Sequence, residues 1–210
     1  GGGIVLPLLT LSPLLVQGLT MLATLRPVEA DLHIRIVGER WWWRVAYEAE
    51  DGGQPITLAN ELRLPVGQTI ALSMTTPDIL HSLWIPALAG KLDLIPGRTT
   101  TLHLQPIQTG LFRGVCAEYC GTAHSRMAFM VEVMPRVQFA AWLQAQAQPA
   151  RTPASALAVR GEQHYQRNGC QGCHAIRGTG SQGVIGPDLT HVGSRYSLAA
   201  AALPNNVAAQ

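Results

Sequence analysis

The sequence is short of charge: only 13% of its 210 residues are Asp, Glu, Lys or Arg, and 15 basic against 13 acidic side chains leave a formal net charge of +2. No basic stripe forms, so the electrostatic footprint needed for phosphate backbones is missing and nucleic acid is excluded as a partner. No internal repeat is present, which excludes solenoids and arrays. The opening residues lack the basic start and small-residue cleavage site of a secretory signal. Cysteine is scarce, at four residues in two local pairs, Cys116/Cys120 and Cys170/Cys173. An even count permits two disulfides, but spacing this close argues for ligands. Methionine is absent after Met134.

What is present is apolar. At 47% hydrophobic residues the chain can pack a core, and its length suits one full domain plus part of another. The run Ile4 to Leu25, with Gln17 as its one strongly polar residue, has the length of a membrane span and is closed by Arg26, Pro27 and Glu29. Residues 1–26 are therefore expected to form a transmembrane helix rather than a buried core helix. Pro7 and Pro13 would kink it, which neighbouring helices can accommodate. The start at Gly1 and the ending Ala209-Gln210 predict further sequence at both ends.

From Asp31 to Val37 apolar and polar residues alternate, the period of a strand. Similar segments recur at 41–47, 56–64, 69–74, 99–104 and 128–134, punctuated by Gly52-Gly53, Pro65, Pro77 and Pro96-Gly97. Many short strands between turns predict a β-sandwich or barrel over residues 30–135. Beyond Pro135, Phe139, Trp142 and Leu143 fall at helical spacing. The helix gives way to a Gln/Ala/Pro linker at Gln144 to Pro153, so that residues 136–155 join two domains. A second helix is expected from Ala154 to Arg167, ending at Asn168-Gly169.

Between Cys116 and Met127 lie two thiols, the imidazole of His124 and a thioether, soft donors suited to copper. A mononuclear blue-copper site needs one Cys; two cysteines four residues apart can bridge two copper ions. Each ion then needs a terminal imidazole. His124 supplies one, and His81, expected on a turn after a strand, is the candidate for the other. A Cys116–Cys120 disulfide and a zinc knot of two Cys and two His are the alternatives; both leave Met127 and the His81 segment unexplained. Met130 and Met134 read as packing residues.

His81-Ser82, Pro86, Lys91, Asp93, Pro96-Gly97 and the whole loop from Cys116 to Met127 occur in the order seen in subunit II of the haem-copper oxidases, which this half of the chain closely resembles. The resemblance implies a mainly β, cupredoxin-like sandwich behind a transmembrane helix. It also implies a binuclear copper centre (CuA) held by the side chains of His81, Cys116, Cys120, His124 and Met127 and the carbonyl of Glu118. The Glu118 side chain would stand near a magnesium ion shared with subunit I. In Trp41-Trp42-Trp43 the aromatics could simply fill the sandwich, but the family places its first Trp, here Trp41, where electrons enter. Glu39-Arg40 departs from the polar pair common before this run, which predicts an altered donor-docking surface.

Cys170-Gln171-Gly172-Cys173-His174 fits the attachment signature of haem c, two thiols for the vinyl groups and an adjacent iron-binding His. Thiol–disulfide motifs share Cys-x-x-Cys, but Gly161, Tyr165 and Gly186-Pro187-Asp188-Leu189 resemble the surroundings of the haem in small cytochromes c. The resemblance gives Pro187 the role of orienting His174 through its carbonyl. Residues 156–210 are thus expected to be an incomplete, all-α cytochrome c domain. The usual distal Met has no candidate here, and His191 is the one nearby alternative; His33, His103 and His164 read as solvated.

Together these resemblances imply subunit II of a terminal oxidase in a bacterial inner membrane, its soluble domains on the periplasmic face. It would take electrons from cytochrome c or another donor and pass them through CuA to subunit I, among other oxidase subunits. The rivals are a nitric oxide or nitrous oxide reductase component and a free-standing, membrane-tethered electron carrier or copper-delivery protein.

Overall fold

The computed structural model describes residues 2–22, 29–48, 53–206 and 208. Helix α1 (Gly2–Leu22) contains both prolines and no buried residue. Its 21 residues rise about 31 Å, enough to cross the hydrocarbon of a bilayer. Arg26 and Pro27, expected to close the span, lie outside the described residues.

The ten strands that follow are β1 (Leu32–Glu39), β2 (Trp42–Tyr47), β3 (Ile56–Ala59), β4 (Glu61–Pro65), β5 (Ile70–Thr75), β6 (His81–Trp84), β7 (Leu92–Leu94), β8 (Thr100–Leu104), β9 (Gly110–Cys116) and β10 (Ala128–Met134). They form two sheets, ordered β3-β2-β1-β5-β8 and β4-β10-β9-β6-β7. The pairs β1/β5 and β4/β10 are parallel, and the other pairs are antiparallel. In β1 the alternation reads as expected: Ile34 and Ile36 are buried while His33 and Arg35 face solvent. The space between the sheets is filled by Trp43, Tyr47, Phe129 and a shell of Ile, Leu, Val and Met, all shielded from water.

The expected strand at 56–64 is two strands in different sheets. Asn60 breaks it with a φ of 56°, a left-handed backbone that Asn tolerates better than most residues. Its amide donates to Trp43 O at 2.8 Å, and its carbonyl accepts from Met130 N at 3.0 Å. Its side-chain Oδ1 accepts from Trp43 N at 2.8 Å. The chain thus crosses from one sheet to the other at a residue tied to both.

Helix α2 (Arg136–Ala147) packs Phe139 and Trp142 on Tyr47, ring centroids 6.1 and 5.4 Å away. It extends as far as Ala147 into the stretch read as linker, because Gln and Ala are good helix formers, and the rest of that stretch is not helical. Helix α3 (Ala156–Arg167) starts after Ser155, whose Oγ accepts from Ala158 N at 3.1 Å. It runs to the Cys170 segment, and a small hairpin of β11 (Ser197–Leu198) and β12 (Leu203–Pro204) follows.

Candidate metal and haem centres

Antiparallel pairing of β6 with β9 sets Leu83 opposite Cys116, and Ala117 N donates to Ser82 O at 2.8 Å. His81, the first residue of β6 rather than part of a turn, therefore lies beside the end of β9. The loop from Cys116 closes on itself where Cys116 N donates to Met127 O at 2.9 Å. This brings four donors into sequence: His81 Nδ1 to Cys116 Sγ 3.9 Å, Cys116 Sγ to Cys120 Sγ 3.8 Å, and Cys120 Sγ to His124 Nδ1 3.5 Å. Met127 Sδ stands 3.7 Å from Cys120 Sγ, and Glu118 O 3.2 Å from Cys116 Sγ. The two cysteines are free thiols.

His81 and Cys120 are wholly shielded from solvent. Burial raises the Cys116 thiol, but its bonds with His81 and the backbone at Ser82 and Glu118 outweigh that and bring it down to about 7. Cys120 is pushed up to about 12 by burial and by the charge on Cys116. Two buried sulfurs this close resist carrying two negative charges unless cations sit against them, so the donor set fits bound metal. His81, Cys116 and Cys120 have ligand atoms within 4.8 Å of one another, a group that leaves out His124. The four donors thus do not converge on one point as tetrahedral zinc requires; an imidazole at each end of a sulfur pair fits two metal ions.

Asp78, which the sequence reading passed over, sits behind His81 with Oδ1 2.9 Å from its Nε2. That contact leaves Nδ1 to face the sulfurs, the usual carboxylate support of a ligating His. Burial raises the Asp78 carboxyl, but hydrogen bonds from His81, the amides of Ile79 and Arg40, and the Thr76 hydroxyl outweigh it, to about 2. The spacing Asp78 to His81 across a turn was the available signal.

The three tryptophans divide. Trp43 fills the core, Trp42 carries the Arg44 guanidinium 4.6 Å above its ring, and Trp41 reaches the metal loop. The Trp41 indole N–H donates to Cys120 O at 2.8 Å. Gly121, at φ 108°, admits it: a Cβ there would lie 3.2 Å from Trp41 Cζ2.

In the C-terminal region His174 Nδ1 lies 2.7 Å from Pro187 O, which makes Nδ1 the donor and leaves Nε2 for a ligand. Tyr165 and Ser181 hydroxyls donate to His174 O at 3.3 and 2.7 Å. Cys170 is partly exposed and Cys173 exposed, free for thioether bonds. Exposed Val184 and Ile185 flank the same loop, apolar surface of the kind a haem would cover. His191 Nε2 lies 3.0 Å from Gln148 O in the linker.

Comparison with known proteins bears on both centres. Residues 49–134 match the family model for the periplasmic domain of cytochrome c oxidase subunit II, and residues 158–209 match that for cytochrome c. Cytochrome c oxidase subunit 2 of Alkalihalophilus pseudofirmus is 36% identical over 168 residues, which is 80% of this chain and 47% of the relative. That of Lycodon semicarinatus is 32% identical over 160 residues, 64% of this chain and 69% of the relative. The crystal structure of the periplasmic domain of subunit II of cytochrome oxidase from Bradyrhizobium japonicum superposes with a TM-score of 0.52 at 31% identity, covering 57% of this chain and 95% of that one. The chain belongs to the cytochrome c oxidase subunit II family.

Subunit II membership carries the mainly β cupredoxin-like fold behind an apolar N-terminal helix, and the second match adds a cytochrome c region. The subunit II domain implies copper and the cytochrome c domain implies haem. The apolar helix and the periplasmic-type domain point to a membrane-anchored protein with its β-domain on the outer face. The chain spans about half the length of the Alkalihalophilus relative.

Proposed function

We propose that this chain is the electron-accepting subunit of a terminal oxidase. It takes electrons from cytochrome c or another donor and delivers them to the haem-copper subunit I, where oxygen is reduced to water and protons are pumped. The observation that supports this reading best is the series His81, Cys116, Cys120, His124, its first three members buried, with consecutive separations of 3.9, 3.8 and 3.5 Å.

When bound, the copper pair and the haem supply one-electron redox centres. Cys116 and Cys120 would hold both copper ions, His81 and His124 one each, and Met127 and Glu118 O would supply weak contacts that tune potential. Asp78 fixes the tautomer and direction of His81. Trp41 covers the loop and offers, through its bond to Cys120 O, the site where electrons enter. Cys170 and Cys173 would tether the haem, and His174, oriented by Pro187, would bind its iron.

The test is to isolate the chain from membranes with its partner subunits and follow oxygen uptake with reduced cytochrome c. Uptake sensitive to loss of this chain is expected. A preparation that holds copper and haem but consumes no oxygen would make the protein a bare carrier.

A further inference from the structure

Arg44 on β2 belongs to neither candidate centre, yet its side chain ties the β-domain to the loop beside the haem motif. Its Nε donates to Glu39 Oε1 at 2.7 Å, and its Nη2 donates to Val184 O at 3.0 Å and Ile185 O at 3.4 Å. The flat face of the guanidinium rests on Trp42, 4.6 Å from the ring centroid. Glu39 and the indole thus hold the fork in place, and its free edge grips two successive carbonyls of the C-terminal region. Those carbonyls lead into Gly186-Pro187, and Pro187 O holds His174 Nδ1 at 2.7 Å.

The far end of the same loop is anchored separately. Tyr196 N donates to Glu61 Oε2 at 2.9 Å, and the Tyr196 ring lies 5.0 Å from the Arg63 guanidinium carbon. Between the anchors Pro187 and Trp41 line one groove of about 390 Å³, together with Trp42 and Arg195. Trp41 leads on to Cys120 O at 2.8 Å. The loop that orients the imidazole is therefore held at the same groove as the indole that touches the metal loop.

We propose that Arg44 is a positioning residue for electron transfer within the chain, clamping the 184–187 loop so that His174 stays at a fixed distance from Trp41. The inference rests on the function proposed above. The step it serves moves one electron: the ferrous haem is oxidised and the copper pair gains that electron. Arg44 exchanges neither electron nor proton.

The test uses the full chain carrying copper and haem, its haem reduced by a light pulse and its reoxidation followed against the copper near-infrared band. Arg44→Ala is expected to slow this transfer about tenfold or more by releasing bonds from a charged donor, with both absorption bands and both potentials unchanged. Arg44→Lys should be slowed as well, because a single ammonium can keep Glu39 but cannot at the same time reach the carbonyls of Val184 and Ile185. In both variants, and without any cofactor, the amides from Gly186 to Thr190 should exchange hydrogen faster than in the parent. Parental transfer rates and parental exchange in the two variants would overturn the clamp. A parent chain that shows neither band would instead refute the function on which it rests.

Discussion

The indole N–H of Trp41 donates to the carbonyl oxygen of Cys120 at 2.8 Å. This joins the tryptophan strand to the middle of the metal loop by one hydrogen bond, with Gly121 leaving room for the ring. Trp41→Phe keeps an aromatic cover but removes the donor. The variant should lose about 1 kcal/mol of stability and show slower haem-to-copper transfer, measured by thermal unfolding and flash kinetics, with the copper spectrum retained. Transfer at the parental rate would remove Trp41 from the route.

Cys120 and Met127 touch at 3.7 Å but should differ in consequence. Cys120→Ser takes away a shared sulfur and is expected to abolish the near-infrared copper band while the haem spectrum stays intact. Met127→Leu preserves side-chain volume, costing less than about 1.5 kcal/mol, and should keep copper while shifting its potential. Spectroelectrochemistry of the two variants distinguishes a bridging thiolate from a tuning contact; complete copper loss in Met127→Leu would contradict the latter.

Asp78 holds the far nitrogen of His81 at 2.9 Å. Asp78→Asn keeps the shape but weakens that support and should lower copper affinity by about 10- to 100-fold, read by competition with a chelator of known strength. An unchanged affinity would make Asp78 a turn residue only.

Gly114 on β9 faces the Phe129 ring of β10, and a Cβ there would come within 2.1 Å of Phe129 Cζ. Gly114→Ala should therefore destabilise the sandwich by about 1–3 kcal/mol through overpacking, measured by denaturant unfolding of the metal-free protein. Since β9 ends in Cys116, copper loading should fall with it.

Much of this was legible before any coordinates. Alternation in β1 reads as period two because one face is buried, and the donor types of His81, Cys116, Cys120, His124 and Met127 announce themselves by chemistry. The structure does gather those side chains. Strand β9 was not legible: Gly110 and Gly114 weaken any β pattern, and Gly114 is there for Phe129 rather than for propensity. The break at Asn60 hides inside a segment, Ile56 to Leu64, whose Ile56, Leu58, Leu62 and Leu64 keep one two-residue period on either side of it. Asp78 and Arg44 were passed over for a different reason. Their roles depend on which residues meet them in space, His81 across a turn and Val184 from 140 residues away.

Asn60 binds Trp43 in both directions and Met130 with its carbonyl. One residue thereby works as a hinge pin between the strand that carries the tryptophans and the strand that leaves the metal loop, and neither layer can slide without the other. The mutational tolerance of this position is accordingly narrow. A β-branched replacement would meet a backbone angle it cannot hold and would have no amide oxygen to offer, so the outer faces of the two sheets can diversify while this crossing stays as it is.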